Sequence, residues 1–256
     1  MGATTKTKWD DSTVSDLFVA YDDHVEDLLG YQPLIAEMLR RLGGDVRVLD
    51  YGCGGAKVTR RMLDAGIARV SGVDLSADMI EKAKAPGLPG ADFARVESGR
   101  VPHEDASFDA AIICFVLINI DTKAEIGAIL KEIHRVLKPG GQLFVLDSNP
   151  RVTGVRFKTF QSGEAGVTYA DGALRKVTLQ VPGVAEPFVI HDRHWSQETY
   201  VELIREAGFF GPSIYELTAD AIAAEARERL TVSERTHPPF LRLTAQKAES
   251  KAETPR

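Results

Sequence analysis

The sequence has little cysteine and no long apolar run. Its 256 residues include two cysteines, Cys53 and Cys114, and neither has the spacing of a metal site. Both are therefore expected to be free thiols, as is typical in a reducing compartment. No apolar run approaches the roughly 20 residues that a transmembrane helix needs, and the polar N-terminus lacks the apolar segment of a signal peptide. We expect a cytoplasmic protein that does not bind a membrane.

Positive charge is also scarce. The chain has 31 Lys and Arg against 37 Asp and Glu, which gives a net charge of −6. Because a nucleic-acid backbone is bound by a basic face, this balance argues against DNA or RNA as the main partner. Hydrophobic residues make up 44% of the chain and charged residues 27%, as in an ordinary globular protein. The length allows one large domain with an added cap.

The most informative stretch is VRVLDYGCGG, residues 46–55. Its apolar beginning is typical of a parallel strand covered on both faces, and Asp50 ends that run. Gly52, Gly54 and Gly55 follow, so the backbone can turn tightly and a ligand can approach it closely. The next segment is predicted to be helical and would point free N–H groups at that ligand.

The residues around this turn indicate which ligand binds there. The third glycine of the dinucleotide pattern GxGxxG is missing, because Ala56 and Lys57 follow Gly55. Asp50 would repel a pyrophosphate and favours a ligand with positive charge, such as an α-ammonium or a sulfonium. A second apolar run ends at Asp74, whose carboxylate can accept two hydrogen bonds from ribose hydroxyls. These features predict S-adenosylmethionine and argue against a dehydrogenase, and Asp50→Ala is expected to lower cofactor affinity severely.

Four short motifs occur in order along the chain: LDYGCGG at 49–55, VDLS at 73–76, SFDAAIICFVL at 107–117 and HRVLKPGG at 134–141. Together they resemble the class I S-adenosylmethionine-dependent methyltransferases, strongly over residues 34–149 and more loosely over 195–209. The resemblance implies an α/β fold with a doubly wound, Rossmann-like, seven-stranded, mostly parallel sheet whose last strand is antiparallel.

The resemblance also implies which residues hold the cofactor. Positions matching the adenine-binding pair of the family fall on Glu97 and Ser98, where the family usually has Asp in place of Glu97. Tyr21-Asp22 resembles the aromatic-acidic pair that covers the methionine end, although Tyr21 is as readily explained as a packing residue. The complete predicted set is Tyr21, Asp50, Gly52, Gly54, Asp74, Leu75, Met79, Glu97, Ser98 and Cys114.

Segments outside the core differ in composition from it. We expect an N-terminal helical lid at 1–30, the cofactor-binding core at 31–149, a cap insertion of antiparallel strands at 150–195, the C-terminal part of the core at 196–246 and a disordered tail at 247–256. Gly30 is expected to end the lid helix. In the cap, 174–181 and 188–195 partly alternate like strands, and Asp171-Gly172 is a hairpin signal.

Methyl transfer requires an aligned acceptor and, for an alcohol, phenol or ammonium, a base. The best candidates are His194 and His191, because histidine titrates near neutral pH. Related small-molecule methyltransferases often carry a histidine where His194 stands. His24 is a third candidate, and a purely structural role for these histidines stays open.

The sequence also bears on other functions that this fold could have. The stretch CFVLIN at 114–119 differs from the NPPY-like motif of enzymes that methylate nucleic-acid bases. Asp121, Asp147 and Asn149 do not form a coherent metal-binding pair or triad, so we predict no metal. A cofactor-binding protein without methyl transfer, with a regulatory or cyclisation role, stays open, as does a macromolecular acceptor.

The main prediction is methylation of a small-molecule acceptor. Aromatic residues in the expected cap favour an aromatic or apolar acceptor. Together with the family resemblance and the acidic charge, they suggest a natural-product intermediate of secondary metabolism, such as antibiotic biosynthesis. O-methylation is favoured over N- or C-methylation, and a homodimer is possible.

Overall fold

Ten strands in two sheets organise the part of the chain that the computed structural model describes, residues 7–9 and 11–249. The strands are β1 (Arg47–Tyr51), β2 (Arg69–Asp74), β3 (Ala91–Arg95), β4 (Phe108–Cys114), β5 (Leu137–Ser148), β6 (Phe160–Ser162), β7 (Leu174–Leu179), β8 (Phe188–Arg193), β9 (Phe210–Glu216) and β10 (Phe240–Gln246). The seven-stranded sheet has the order β3-β2-β1-β4-β5-β10-β9. In this sheet β10 runs antiparallel to both of its neighbours, β5 and β9, and the pairs among β1 to β5 are parallel, which confirms the predicted fold class.

Helices cover both faces of this sheet. They are α1 (Ser12–Ala20), α2 (His24–Glu26), α3 (Gln32–Leu42), α4 (Lys57–Asp64), α5 (Ala77–Lys84), α6 (Lys123–Val136), α7 (Gln197–Glu206), α8 (Ala224–Arg227) and α9 (Val232–Thr236). Along β4, Ala110 and Ile112 pack into one core with α3 and α4, while Ala111 and Ile113 pack into the other with α6 and α7. Burial on both faces explains why this strand is apolar without interruption.

The lid differs from its prediction. The expected lid helix is broken after Ala20 and resumes at α2, and a π-helical turn, Asp27–Tyr31, then joins α2 to α3. Gly30 lies inside this continuous helical segment, so the prediction that it ends the helix is wrong. A Cβ atom on Gly30 would lie 2.9 Å from Leu146 Cδ2. The glycine therefore allows the helix to approach β5 closely instead of ending it.

The cap forms a separate three-stranded antiparallel sheet of β6, β7 and β8, as predicted. Asp171-Gly172 lies in the connection between the antiparallel strands β6 and β7, residues 163–173, but does not form a two-residue turn that joins them. Instead, Asp171 Oδ1 accepts a hydrogen bond of 2.6 Å from Ser196 N. Within this hairpin connection, the motif attaches the cap to the first turn of α7.

The ends of the described chain are attached to the core. Trp9 packs edge-on against Phe18 with ring centres 5.0 Å apart. Lys247 Nζ donates to the carbonyl oxygens of His134 at 2.7 Å and Leu137 at 2.8 Å, so the predicted disordered tail does not begin at this residue. Residues 1–6, 10 and 250–256 of the predicted lid and tail lie outside the described residues. No helix in the described ranges is long and apolar enough to cross a membrane.

Candidate active site

A cavity of about 370 Å³ opens at the carboxyl ends of β1, β2 and β4. This is where open α/β sheets bind ligands. The glycine turn and Asp74 line one part of the cavity, while lid, core and cap side chains, including Tyr31, Phe115 and Phe160, line another. The site therefore combines a cofactor-sized cleft in the core with a region shaped by the two added segments.

The glycine turn has a conformation that restricts its sequence. Gly52 and Gly54 have φ angles of 77° and 50°, in the left-handed region. Gly52 N and Cys53 N donate to Val73 O at 2.8 and 3.0 Å, which holds the turn against β2. A Cβ atom on Gly52 would overlap Val116 Cγ2. The turn thus keeps its backbone close to the cavity, as the sequence predicted, because no side chain intervenes.

Asp74 is positioned by the backbone at the end of β2. Its Oδ2 accepts from Gly54 N and its Oδ1 from Ser76 N, both at 2.9 Å. Burial raises the pKa of Asp74, and these two N–H donors oppose that shift. The carboxylate lines the cavity and its oxygens have further acceptor capacity, which suits a ribose diol.

Asp50 lies behind the turn. Its side chain is 1% exposed and is absent from the described residues that line the cavity. Asp50 Oδ2 accepts a 2.6 Å hydrogen bond from Thr59 Oγ1, and burial raises its pKa to about 7. The expected direct contact with a positive ligand is therefore not provided by this geometry, and the role of Asp50 in cofactor binding stays a prediction.

Asp50→Ala is expected to weaken cofactor binding through the turn. The change leaves the buried Thr59 hydroxyl without its acceptor, which costs about 1–3 kcal/mol of folding free energy. Asp50→Asn keeps an acceptor there and serves as the matched control. Denaturant unfolding and calorimetric titration with S-adenosylmethionine would test this, and equal stability and affinity for Asp50→Ala and wild type would contradict it.

The remaining predicted cofactor residues fall into two groups. Five of them line the cavity: Tyr21, Leu75, Met79, Ser98 and Cys114. Glu97 is exposed and lies outside the described lining, so the structure does not bring it to the cavity. Nearby, Tyr51 Oη accepts a 3.0 Å hydrogen bond from Gly99 N, which fixes the backbone after Ser98.

Aromatic rings form a wall of the cavity. Phe115 meets Tyr31 and Phe240 edge-on, with ring centres 5.9 and 5.5 Å apart. Phe160 of the cap stacks on Phe240 at 5.5 Å. Phe115 itself has a φ angle of 56°, an uncommon conformation for a bulky residue that is found mainly where the surroundings fix it. This wall joins side chains from the core, the cap and the last strand.

A polar cluster that the sequence did not predict lies at the same cavity as these rings. The Tyr21 hydroxyl donates a hydrogen bond to Glu26 Oε1 and is also hydrogen-bonded to Thr159 Oγ1 at 3.1 Å. Glu26 lines the cavity, and burial raises its pKa to about 8. The sequence signal for this cluster is the position of Glu26, a carboxylate between the buried Val25 and Leu29 in an apolar helical stretch.

The predicted bases lie elsewhere. His191 N donates to Thr7 Oγ1 at 2.7 Å, and His194 N donates to Ala173 O at 2.9 Å. His24 Nε2 lies 3.1 Å from Arg229 O. None of the three histidines is among the described residues that line the cavity. A catalytic role for His191 and His194 therefore gains no support from the geometry.

Asp192, next to His191, does line the cavity and is held by a buried ion pair. Arg175 Nε and an Arg175 terminal nitrogen donate to the two Asp192 oxygens at 2.7 and 3.0 Å. A third nitrogen of this guanidinium donates to Thr153 Oγ1 at 3.1 Å. The carboxylate is thus neutralised within the cap.

Asp147, Asn149 and Asp121, the residues nearest to a metal-binding pattern in the sequence, each have a different partner. Tyr200 Oη donates to Asp147 Oδ2 at 3.0 Å, and Asn149 Nδ2 donates to Glu216 Oε1 at 2.7 Å. Asp121 is paired with Arg193. Within the described ranges, no group of three or more His, Cys, Asp and Glu could hold a metal ion.

Comparison with known proteins decides the family. A model described as "Methyltransferase domain" matches residues 48–141. The N-demethylindolmycin N-methyltransferase of Streptomyces griseus is 32% identical over 168 residues, which cover 63% of this chain and 68% of that protein. The chain belongs to the S-adenosylmethionine-dependent methyltransferases.

Two further likenesses agree with this family. The 2-phytyl-1,4-naphtoquinone methyltransferase of a Nostoc strain is 36% identical over 122 residues, which cover 44% of this methyltransferase and 51% of that one. The crystal structure of an S-adenosylmethionine-dependent methyltransferase from Mesorhizobium loti shares the fold. Its TM-score is 0.59 at 22% identity, with 84% of this chain and 96% of that chain covered. The cofactor of this methyltransferase is S-adenosylmethionine.

Proposed function

We propose that this methyltransferase methylates an oxygen of a small aromatic or apolar acceptor, a natural-product intermediate. The observation that carries the proposal is the aromatic wall of Tyr31, Phe115, Phe160 and Phe240, which leaves few polar groups in that region of the cavity. Such a wall suits a planar ring, because apolar pockets with a few fixed polar groups select small organic ligands.

The residues of the cleft fit S-adenosylmethionine. Asp74 would bind the ribose, the backbone at Gly52 would lie along the methionine arm, and Leu75, Met79 and Ser98 would surround the base. The fit rests on the open backbone that the glycine turn presents and on the carboxylate fixed beside it. When bound, S-adenosylmethionine supplies a methyl group activated on a sulfonium.

The chain's own contribution is orientation, exclusion of water and proton transfer. Lid and cap are hydrogen-bonded to each other through Tyr21 and Thr159, and this contact would help to exclude water from the site. The aromatic wall would hold the acceptor ring so that its oxygen lies within about 3–3.5 Å of the methyl carbon. A phenol would also need a base, and a carboxyl whose pKa is raised is better matched to this task than an ordinary one.

N-methylation is the second candidate. It is favoured by the N-demethylindolmycin N-methyltransferase, whose similarity extends over 63% of the chain. A cytoplasmic location, a homodimer and the absence of nucleic-acid partners remain predictions from the sequence.

A matched panel of naphthalene rings carrying a hydroxyl group, an amino group or neither would test the acceptor class. The protein is incubated with methyl-labelled S-adenosylmethionine, and labelled product and S-adenosylhomocysteine are measured. We expect label in the hydroxyl compound. Label in the amino compound alone would favour N-methylation. Tight cofactor binding without transfer to any ring, but with transfer to a peptide or RNA control, would contradict a small aromatic acceptor.

A further inference from the structure

Glu26 is a buried carboxyl with one oxygen unused. Its side chain is 6% exposed and lines the cavity. Oε1 is hydrogen-bonded to Tyr21, whereas Oε2 has no hydrogen-bond partner among the described residues. A buried polar atom without a partner is destabilising, so a free carboxyl oxygen at a cavity indicates that a ligand supplies the missing partner.

Contacts within the lid and with the cap fix the position of this carboxyl. Glu26 ends α2, directly before the π-helical turn Asp27–Tyr31, a distortion often found at functional sites. Tyr21 connects the carboxyl to the lid, and Thr159 connects the Tyr21 hydroxyl to the cap. The position of Glu26 therefore depends on lid and cap together, the two segments that also shape the aromatic part of the cavity.

Among the described residues, the charged groups near Glu26 have other partners and none forms an ion pair with its carboxyl. Lys57 of α4 is the nearby cation, but its Nζ donates to Phe18 O at 3.3 Å and Tyr21 O at 3.2 Å and lies 3.6 Å from Asp23 Oδ2. Asp23 adds negative charge and also pairs with Arg61 at 3.1 Å. The other titratable neighbours of this cluster are Tyr21, Tyr31 and Cys114. With a pKa of about 8, the carboxyl carries a proton at neutral pH.

Four other carboxylates of the region are held by neighbouring groups or lie behind the turn. Asp192 is neutralised by Arg175, Asp74 accepts from two backbone N–H groups, and Asp50 lies behind the turn. Asp121 is paired with Arg193. Glu26 is thus the carboxyl best placed to respond to a positive charge that enters the cavity.

We propose that Glu26 is the catalytic base of this methyltransferase: its carboxyl releases a proton to solvent when the positively charged cofactor binds, and its carboxylate then takes the acceptor's proton. The bond from the methyl carbon to sulfur breaks as the bond to the acceptor oxygen forms, and the hydroxyl proton passes to Glu26. A cation, a neutral acceptor and a carboxylate thus give a neutral thioether, a methyl ether and a carboxylic acid, so charge and atoms balance. The base role rests on the proposed acceptor class, whereas the proton release does not.

Proton release on cofactor binding tests this assignment without any acceptor. The full chain is titrated calorimetrically at pH 7 with S-adenosylmethionine or S-adenosylhomocysteine, in two buffers with different ionisation enthalpies. A carboxyl with a pKa near 8 can release up to about 0.9 proton at this pH. S-adenosylmethionine should release several-fold more than S-adenosylhomocysteine, which lacks the sulfonium charge. Equal release by the two ligands in the wild type would overturn the proposal even if every variant misfolded.

Two variants test whether the proton released on cofactor binding comes from Glu26. Glu26→Gln should abolish the difference between the two ligands while keeping affinity for S-adenosylhomocysteine within about threefold, and a difference that persists in this variant overturns the assignment. Tyr21→Phe removes the neighbouring hydroxyl but keeps the carboxyl, so proton release should remain. With any hydroxyl acceptor that the wild type methylates, Glu26→Gln should lower kcat by about 100- to 10,000-fold. An unchanged kcat would overturn the base role.

Discussion

Gly52→Ala is expected to lower affinity for S-adenosylmethionine on the order of 100-fold. The new Cβ would overlap Val116 Cγ2, and alanine would have to adopt a φ angle of 77°. Backbone strain of this kind costs about 1–3 kcal/mol, and each 1.4 kcal/mol corresponds to a tenfold change in a binding constant. Because Gly52 and Val116 both line the cavity, relief of the overlap must displace a wall of the cofactor cleft.

Gly54→Ala is the matched control for this prediction. Its φ angle of 50° imposes similar strain, but the nearest atom to its Cβ would be Met79 Sδ at an ordinary 3.9 Å. Calorimetric titration should therefore show a smaller loss, about tenfold or less. Val116→Ala added to Gly52→Ala should recover part of the affinity. Equal losses in the two glycine variants would show that the overlap with Val116 is unimportant.

Arg175→Met is expected to destabilise the protein by about 3–5 kcal/mol. Arg175 is 2% exposed, and its removal leaves the Asp192 carboxylate buried without its partner. Burial would then hold the pKa of Asp192 above its ordinary value, so the folded state would bind a proton that the unfolded state releases. The free energy of unfolding should therefore fall as pH rises from the ordinary aspartate pKa of about 3.9 toward the raised folded value.

Denaturant unfolding at several pH values would check this result. The control is Arg175→Met combined with Asp192→Leu, which replaces the pair with apolar side chains of similar volume and should recover most of the lost stability. If Arg175→Met alone were as stable as the wild type at neutral pH, the buried Asp192 carboxylate would not need Arg175 as its partner. The cap should be affected first, because β7 carries Arg175 and β8 carries Asp192.

The core was predictable because its signals are local. The glycine turn, Asp74 and the apolar β4 each follow from a few consecutive residues, and the order of the motifs determined the sheet. Thr122 and Glu125 form the capping box that their spacing predicts at the start of α6. In each of these cases neighbouring residues determine backbone geometry, and long-range packing adds to it without changing it.

The acceptor region was not predictable to the same degree. A regular helical period of 3.6 residues cannot represent the π-helical turn after Glu26. Gly30 was interpreted as the end of a helix because Leu146, the residue that it contacts, is distant in sequence. The histidines were chosen for their chemistry, but the direction of β8 places Asp192 at the cavity in preference to its neighbours. Burial, which sets the pKa of Glu26, depends on the complete fold.

The position of β10 in the sheet has a consequence for synthesis of the chain. β5 pairs with β10 over its whole apolar part, from Leu143 to Leu146, yet β10 is the last of the described strands to leave the ribosome. Until then a nascent chain that has folded through β4 and β5 has an unpaired apolar edge, a feature that promotes aggregation. Phe240, which completes the aromatic wall, arrives with the same strand. Edge protection and completion of the acceptor region therefore occur in one late step.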